Sequence, residues 1–341
     1  MNIQINGKSY ADFSSVEIKR SIDSVASTFS FSAYFDNQTT ARTFRPLDYQ
    51  DILIHDDFGN LLLTGVCLNT YNEDIPEGSL HVIDGYSKCG VIGDANVPVN
   101  VNSLQNNNMS LKDITEKLIN PFGLKLIIDS DSSKRANEKI KRSYTYMNEK
   151  LDRYIVDIAL RKKIIVSHDV YGNLLFLSIS SDVKTKRSFN RDNCVSMSLS
   201  VDGQNMHSEI SSTRQVSRRS RKNPSPQVKS ATVVNPLIKV YRPKNNRTNI
   251  NSDLDLNTSA ESFFMQELEN ISLVIKLEKY YPDISVGDFI EVVNDRMHIF
   301  KPARMLIKET IIRRSESGET MELTCVIPEA YTGETPKNIF E

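Results

Sequence analysis

The feature that most constrains this chain is a period-two alternation of apolar and polar residues, which recurs from its first residues to its last long segment. In SVEIKRSIDSVASTFSFSAYF (15–35), Val16, Ile18, Arg20 and Ile22 share one face, and Glu17, Lys19 and Ser21 the other. Phe29, Phe31, Ala33 and Phe35 then face one way, with Thr28, Ser30, Ser32 and Tyr34 opposite. Successive side chains of a strand point to opposite faces, so this stretch predicts a half-buried antiparallel pair. The turn between the two strands holds no Gly or Pro.

The alternation continues. DILIH (51–55), the turn DDFGN (56–60) and LLLTGVCLNTY (61–71) predict a hairpin with a bulge at Gly59, and SLHVIDGYSK (79–88) a further strand. Strands at this spacing predict a small closed β-barrel over residues 1–98, closure being one way to remove exposed edges.

The pattern changes over 99–185, which reads as an α/β module. VNVNSLQNNN (99–108) is polar and reads as a linker or long loop. SLKDITEKLINPFG predicts a helix capped by Ser110 and Asp113, with Leu111, Ile114 and Leu118 on one face and an end at Pro121 and Gly123. LKLIID returns as a strand. A second helix from about Glu149 to Lys162 places Leu151, Tyr154, Ile155, Ile158 and Ala159 on one face. KIIVSHD and LLFLSIS then form a hairpin turning at Gly172 and Asn173.

Residues 186–335 read as a second barrel-like unit carrying a long polar insert at 216–257, with 336–341 as a tail. A helix over 258–270 is predicted with Thr258 and Glu261 as its capping box. Ile271, Leu273, Ile275 and Leu277 alternate on one strand, and Met321, Leu323, Cys325 and Ile327 on another. No internal repeat is visible in the residues themselves.

The composition excludes several function classes. A net charge of −1 lacks the basic excess of a free-standing nucleic-acid binder. No apolar run is long enough to cross a bilayer, and the N-terminus lacks the basic start and apolar core of an export signal. Cys67, Cys89, Cys194 and Cys325 form no CxxC pair and read as reduced thiols in strands. His55, His81, His168, His207 and His298 show no metal-binding spacing, and no nucleophile elbow or phosphate-cradling glycine loop occurs. No catalytic residue, cofactor or metal is therefore expected. The sharpest polar feature is a basic run without acids. Arg214, Arg218, Arg219, Arg221, Lys222 and Lys229 could meet an anionic partner, protein or DNA phosphate, without reading sequence, or form a solvated loop.

The order of short motifs adds a resemblance. The 15–35 stretch, LTG (63–65), IDGYSK (83–88) with Asp94, SLKDI, PFG (121–123), EKLDR (149–153), DVYGNLLF (169–176), ISVGDFIEVV (284–293) and ELTCVIPEAY (322–331) resemble baseplate hub proteins of Mu-like contractile-tailed bacteriophages. That family is related to other phage hubs and to the hub part of type VI secretion valine-glycine-repeat spikes. The 216–257 insert has no counterpart in the resemblance. The resemblance implies a homotrimer with two tube-forming barrel domains per chain, a pseudo-six-fold ring that matches a hexameric tail tube protein to a trimeric central spike protein. It also implies contact with the tape measure protein and other baseplate proteins, passage of DNA through a channel without sequence-specific binding, and no stable membrane insertion. The place implied is the virion tail baseplate, assembled in the host bacterial cytoplasm. A baseplate-associated peptidoglycan hydrolase and a carbohydrate- or receptor-binding module are the alternatives.

Overall fold

Each alternating segment of the N-terminal region forms a strand: β1 (Asn2–Ile5), β2 (Lys8–Tyr10), β3 (Ser15–Ser21), β4 (Thr28–Tyr34), β5 (Asp51–His55), β6 (Leu61–Ile75) and β7 (Gly78–Ser87), ending in the short helix α1 (Val91–Asp94). The structure is a computed structural model that describes residues 1–10, 13–34, 44–75, 78–98, 100, 105–145, 148–215, 228–247 and 256–341. The opening pair forms antiparallel as predicted, with Val16 opposite Phe31 and Ile18 opposite Phe29. Val16, Ile18, Ile22, Phe29, Phe31 and Ala33 are buried, while Thr28 is exposed and Ser30 and Ser32 are half-buried. Phe35 lies outside the described residues.

The module follows with β8 (Gln105–Ser110), α2 (Leu111–Ile119), β9 (Leu126–Ile128), α3 (Ser130–Asn137), β10 (Lys139–Tyr144), α4 (Leu151–Leu160), β11 (Ile165–His168) and β12 (Leu174–Leu177). Helix α2 carries the predicted capping box. Helix α4 buries the five predicted residues, Leu151, Tyr154, Ile155, Ile158 and Ala159. These faces meet in a core of their own with Leu174 and Phe176.

The C-terminal region contains β13 (Arg187–Phe189), β14 (Ser196–Val201), β15 (Glu209–Gln215), β16 (Val228–Val234), β17 (Pro243–Arg247), α5 (Leu256–Leu268), β18 (Ile271–Leu277), β19 (Phe289–Asn294), β20 (Ile299–Ser315), β21 (Gly318–Val326) and α6 (Glu329–Thr332). The fold is mainly β. A 13-stranded sheet runs β14-β18-β21-β20-β3-β4-β7-β6-β5-β1-β2, with β19 beside β20 and β13 beside β19. One core serves both β regions, from Phe31 and Ile83 to Leu273 and Leu323.

This sheet contains the same unit twice. In the N-terminal unit the strands β3, β4, β5, β6, β7 lie in the order β3-β4-β7-β6-β5; in the C-terminal unit β14, β18, β19, β20, β21 lie in the order β14-β18-β21-β20-β19. The hairpins β6–β7 and β20–β21 share their register rung for rung at a constant difference of 240, from Val66↔Tyr86 and Leu306↔Val326 to Ile75↔Gly78 and Ser315↔Gly318. Even the bulge recurs, at Leu68 in β6 and Lys308 in β20. Each unit ends in a short helix, α1 or α6.

Several expectations are corrected. Among the described strands no sheet closes on itself, although closed barrels were expected. The reason lies in β20, whose first half pairs with β19 and whose second half pairs with β3 of the other unit. The first bulge falls at Leu62, opposite Ile54 and His55; Gly59 instead supplies the left-handed turn residue at φ +85°. Residues 105–108, read as linker, belong to β8, because β10 supplies a ladder for their polar backbone. Within the insert, β16 and β17 flank β15 in a separate sheet, against which α5 packs. Helix α5 begins at Leu256, so Thr258 lies inside it and is no cap.

Candidate assembly surface

The two units are joined where β3 pairs with β20, from Ser21 opposite Glu309 to Ser15 opposite Ser315. Cross-strand charges are complementary along this seam. Arg313 Nε donates to Glu17 Oε2 at 2.6 Å, and its Nη1 reaches Glu322 at 3.4 Å. Lys19 Nζ lies 2.9 Å from Glu309, and Arg314 Nη1 donates at 2.7 Å to Asp57, which also holds the amino terminus. Burial would lower the Arg313 pKa, but Glu17 and Glu322 outweigh it and leave the guanidinium above its ordinary value.

Among the described residues β2 and β13 are each paired on one side only, and the repeat itself leaves two further edges of this sheet without a partner strand. Strand β14 pairs with β18 on one side only. Strand β6 pairs with β7 along most of its length but with β5 only as far as Val66, so the second side of residues 69–75 bears no strand. Both edges reach solvent, with Tyr71 59 % exposed and Val201 46 % exposed.

The predicted basic residues divide. Arg214 and Lys229 are directly opposite in the register of the β15–β16 ladder. Arg218, Arg219, Arg221 and Lys222 lie outside the described residues.

The histidines serve separate contacts. His168 is the most enclosed: Ser27 Oγ donates to its Nε2 at 2.6 Å, and its Nδ1 donates to the Ser24 carbonyl at 2.8 Å. A carbonyl only accepts, so Nδ1 carries the proton, and burial disfavours a second proton on Nε2, which keeps the ring neutral. Burial pushes its pKa down to about 4. The pair has the atoms of a nucleophile and base, yet both residues are buried and no carboxylate orients the ring. It ties the β3–β4 turn to β11 of the module. His81 pairs with Asn72, and His207 with Glu267. Cys67, Cys89 and Cys325 are buried and Cys194 half-buried; burial pushes the Cys67 thiol up to about 12 and Cys89 to about 11.

A cavity of about 320 Å³ lies between the module and the C-terminal unit, walled by Leu160, Ile164, Val166 and Met265. At one end the bulge residue Lys308 reaches Glu269 at 2.5 Å and Asp23 at 3.2 Å, and Tyr331 donates to Asp23 at 2.8 Å. Burial would lower the Lys308 pKa, but these carboxylates outweigh it and raise it. Neither the cavity cluster nor the seam stands out in the sequence, since their residues come from segments hundreds of positions apart.

The fold has solved relatives. The 43 kDa tail protein of prophage MuSo2 from Shewanella oneidensis is 17 % identical, with a TM-score of 0.81 over 97 % of this chain and 98 % of that one. A tail protein from Neisseria meningitidis MC58 is 16 % identical, with a TM-score of 0.78 over 98 % of each chain. An Escherichia coli type VI secretion component, itself similar to the T4 tail proteins gp27 and gp5, is 11 % identical, with a TM-score of 0.56 over 99 % of this chain and 80 % of that one. No protein-family model and no curated protein matches the chain significantly. The chain thus has the fold of phage tail proteins and of the type VI secretion component.

Proposed function

We propose that this chain is the structural hub of a contractile phage tail or a related injection device, acting by assembly and not by catalysis. The observation that carries the reading is the internal repeat. Two units of one strand order and one hairpin register give each chain two quasi-equivalent faces, so three chains present six. A homotrimeric ring of this kind matches a hexameric tail tube protein on one side and a trimeric central spike protein on the other, and its bore lines the channel for DNA. In this reading each unit is a barrel-like tube domain, 1–98 and 186–335, completed by its neighbours instead of by itself, and the 99–185 module stands outside the ring. The same role places the chain in the virion tail baseplate, after assembly in the host cytoplasm, beside the tape measure protein and other baseplate proteins. The basic run from Arg214 to Lys229 then serves as a salt-sensitive contact to an anionic partner.

The test is mass in solution and capture. The purified chain is expected to sediment as a trimer and to bind its tube or spike protein. A strict monomer at high concentration that binds neither would sink the proposal.

A further inference from the structure

The cavity of about 320 Å³ has the build of a small-molecule site, whatever the oligomeric state of the chain. It lies between α4 and β11 of the module on one side and α5 and α6 of the C-terminal unit on the other. Close-packed interiors hold few voids larger than a water, so a space of this size is a cleft between two parts of the fold. Its walls are apolar, with Val156, Leu160, Ile164, Val166, Ile179 and Met265. Apolar walls with a few polar groups gathered at one place are the usual form of a ligand pocket of this volume.

The polar groups decide which ligand fits. Asp23 and Glu269 both line the cavity, whereas Lys308, the ammonium between them, does not. Neither carboxylate has a second ion-pair partner among the described residues, so two negative charges share one cation and one charge is left facing the space. Tyr331 donates to Asp23 without changing that balance. The cations of the lining are already engaged. Arg135 donates to the carbonyls of Lys163 and Asp131 and to Ser178 Oγ, and Lys163 Nζ lies 2.6 Å from Glu261. We infer that this cavity binds a small organic cation, with a compact apolar body against the walls and a primary ammonium donating to Asp23 and Glu269. An ammonium has three donors and no acceptor, which suits a pair of carboxylates. A ligand seated there touches both the module and the C-terminal unit, so its binding holds the two together.

The test is calorimetric titration of the full chain with phenylbutylamine, an apolar body with an ammonium head, beside phenylbutanol and phenylbutyrate. Phenylbutylamine is expected to bind once per chain and to raise the unfolding temperature, phenylbutanol to bind about tenfold more weakly, and phenylbutyrate not to bind. Glu269→Gln leaves Lys308 paired with Asp23 and removes the surplus charge. It is expected to bring the amine down to the affinity of the alcohol, whose own binding stays unchanged. Met265→Trp and Leu160→Trp fill the cavity from opposite walls and are expected to abolish binding of both compounds. Leu160 is 38 % exposed, so its replacement keeps the test open where Met265→Trp fails to fold. Equal affinity for amine and alcohol, a preference for the carboxylate, or an amine affinity unmoved by Glu269→Gln would overturn the ammonium assignment. Amine binding that survives both tryptophans, or no binding by any of the three compounds, would overturn the site.

Discussion

The N-terminal and C-terminal units reach one topology with almost no shared residues. Across the matched hairpin rungs only Thr70 and Gly78 of the first unit are identical to their equivalents, Thr310 and Gly318. What the two have in common is alternation, bulge position and register, properties that many residue combinations satisfy. Where they differ, each difference has a partner. At one rung the N-terminal unit sets Phe29 against Gly85; the C-terminal unit sets Leu273 against Cys325. At the bulge, Leu68 is replaced by Lys308, whose ammonium turns out toward Glu269 and Asp23. The connection from first to second strand is a short turn in one unit and the whole β15–β17 insert with α5 in the other.

The strongest attempt to separate the units is Phe31→Asp. Phe31 is 1 % exposed and packs against Phe29 and Phe44, so an unpaired carboxylate there costs more than about 4 kcal/mol. Because one core spans both units, the C-terminal unit is expected to unfold with the first in a single transition, read by urea denaturation and limited proteolysis. A protease-resistant C-terminal unit in the variant would show that they are independent.

A second attempt uses pH, since only the N-terminal unit has its first turn tied down by His168. The unfolded imidazole titrates near 6.5 and the folded one near 4, so between these values the unfolded chain binds the extra proton. Stability is therefore full above pH 6.5 and falls as pH drops toward 4, by about 3 kcal/mol in total. Arg20, which disfavours the charged ring, and Asp169, which favours it, face the same histidine. In His168→Gln the slope of the urea midpoint between pH 6.5 and 4.5 should flatten. An unchanged slope would assign the acid sensitivity to carboxylates elsewhere.

How much of this was legible depended on whether apolar periodicity marked the segment. The inward faces of α4, β18 and β21 were, because burial demands apolar residues at fixed spacing. Helix α3 was not: SDSSKRAN buries only Ser132 and Ala136 and is held partly by Ser132 Oγ against Ser178 Oγ, a long-range contact with no local signal. Strand β17, PKNNR, is polar throughout and exists because β15 offers it a parallel ladder. The repeat stayed hidden for the same reason that the units tolerate divergence: register is a property of backbone pairing, and sequence records it only through alternation. The open strand edges were equally silent, since an unpaired strand is defined by what lies beside it.

The finest test of the comparison exchanges a rung between the units. A Cβ built on Gly85 falls 2.1 Å from the Val66 carbonyl oxygen and 2.4 Å from the Phe29 ring, so something must move. Gly85→Ala is expected to cost about 1–3 kcal/mol as an overpacked site, and Gly85→Cys more. The C-terminal unit carries a cysteine on that rung in the same register, with the smaller Leu273 across from it. Adding Phe29→Leu to Gly85→Cys should therefore recover about 1 kcal/mol, measured as a double-mutant cycle in urea, because the removed ring volume makes room for the sulfur. Zero coupling would mean that the Val66 carbonyl and not the Phe29 ring sets the limit. The two units would then differ in backbone spacing, and their likeness would stop at register.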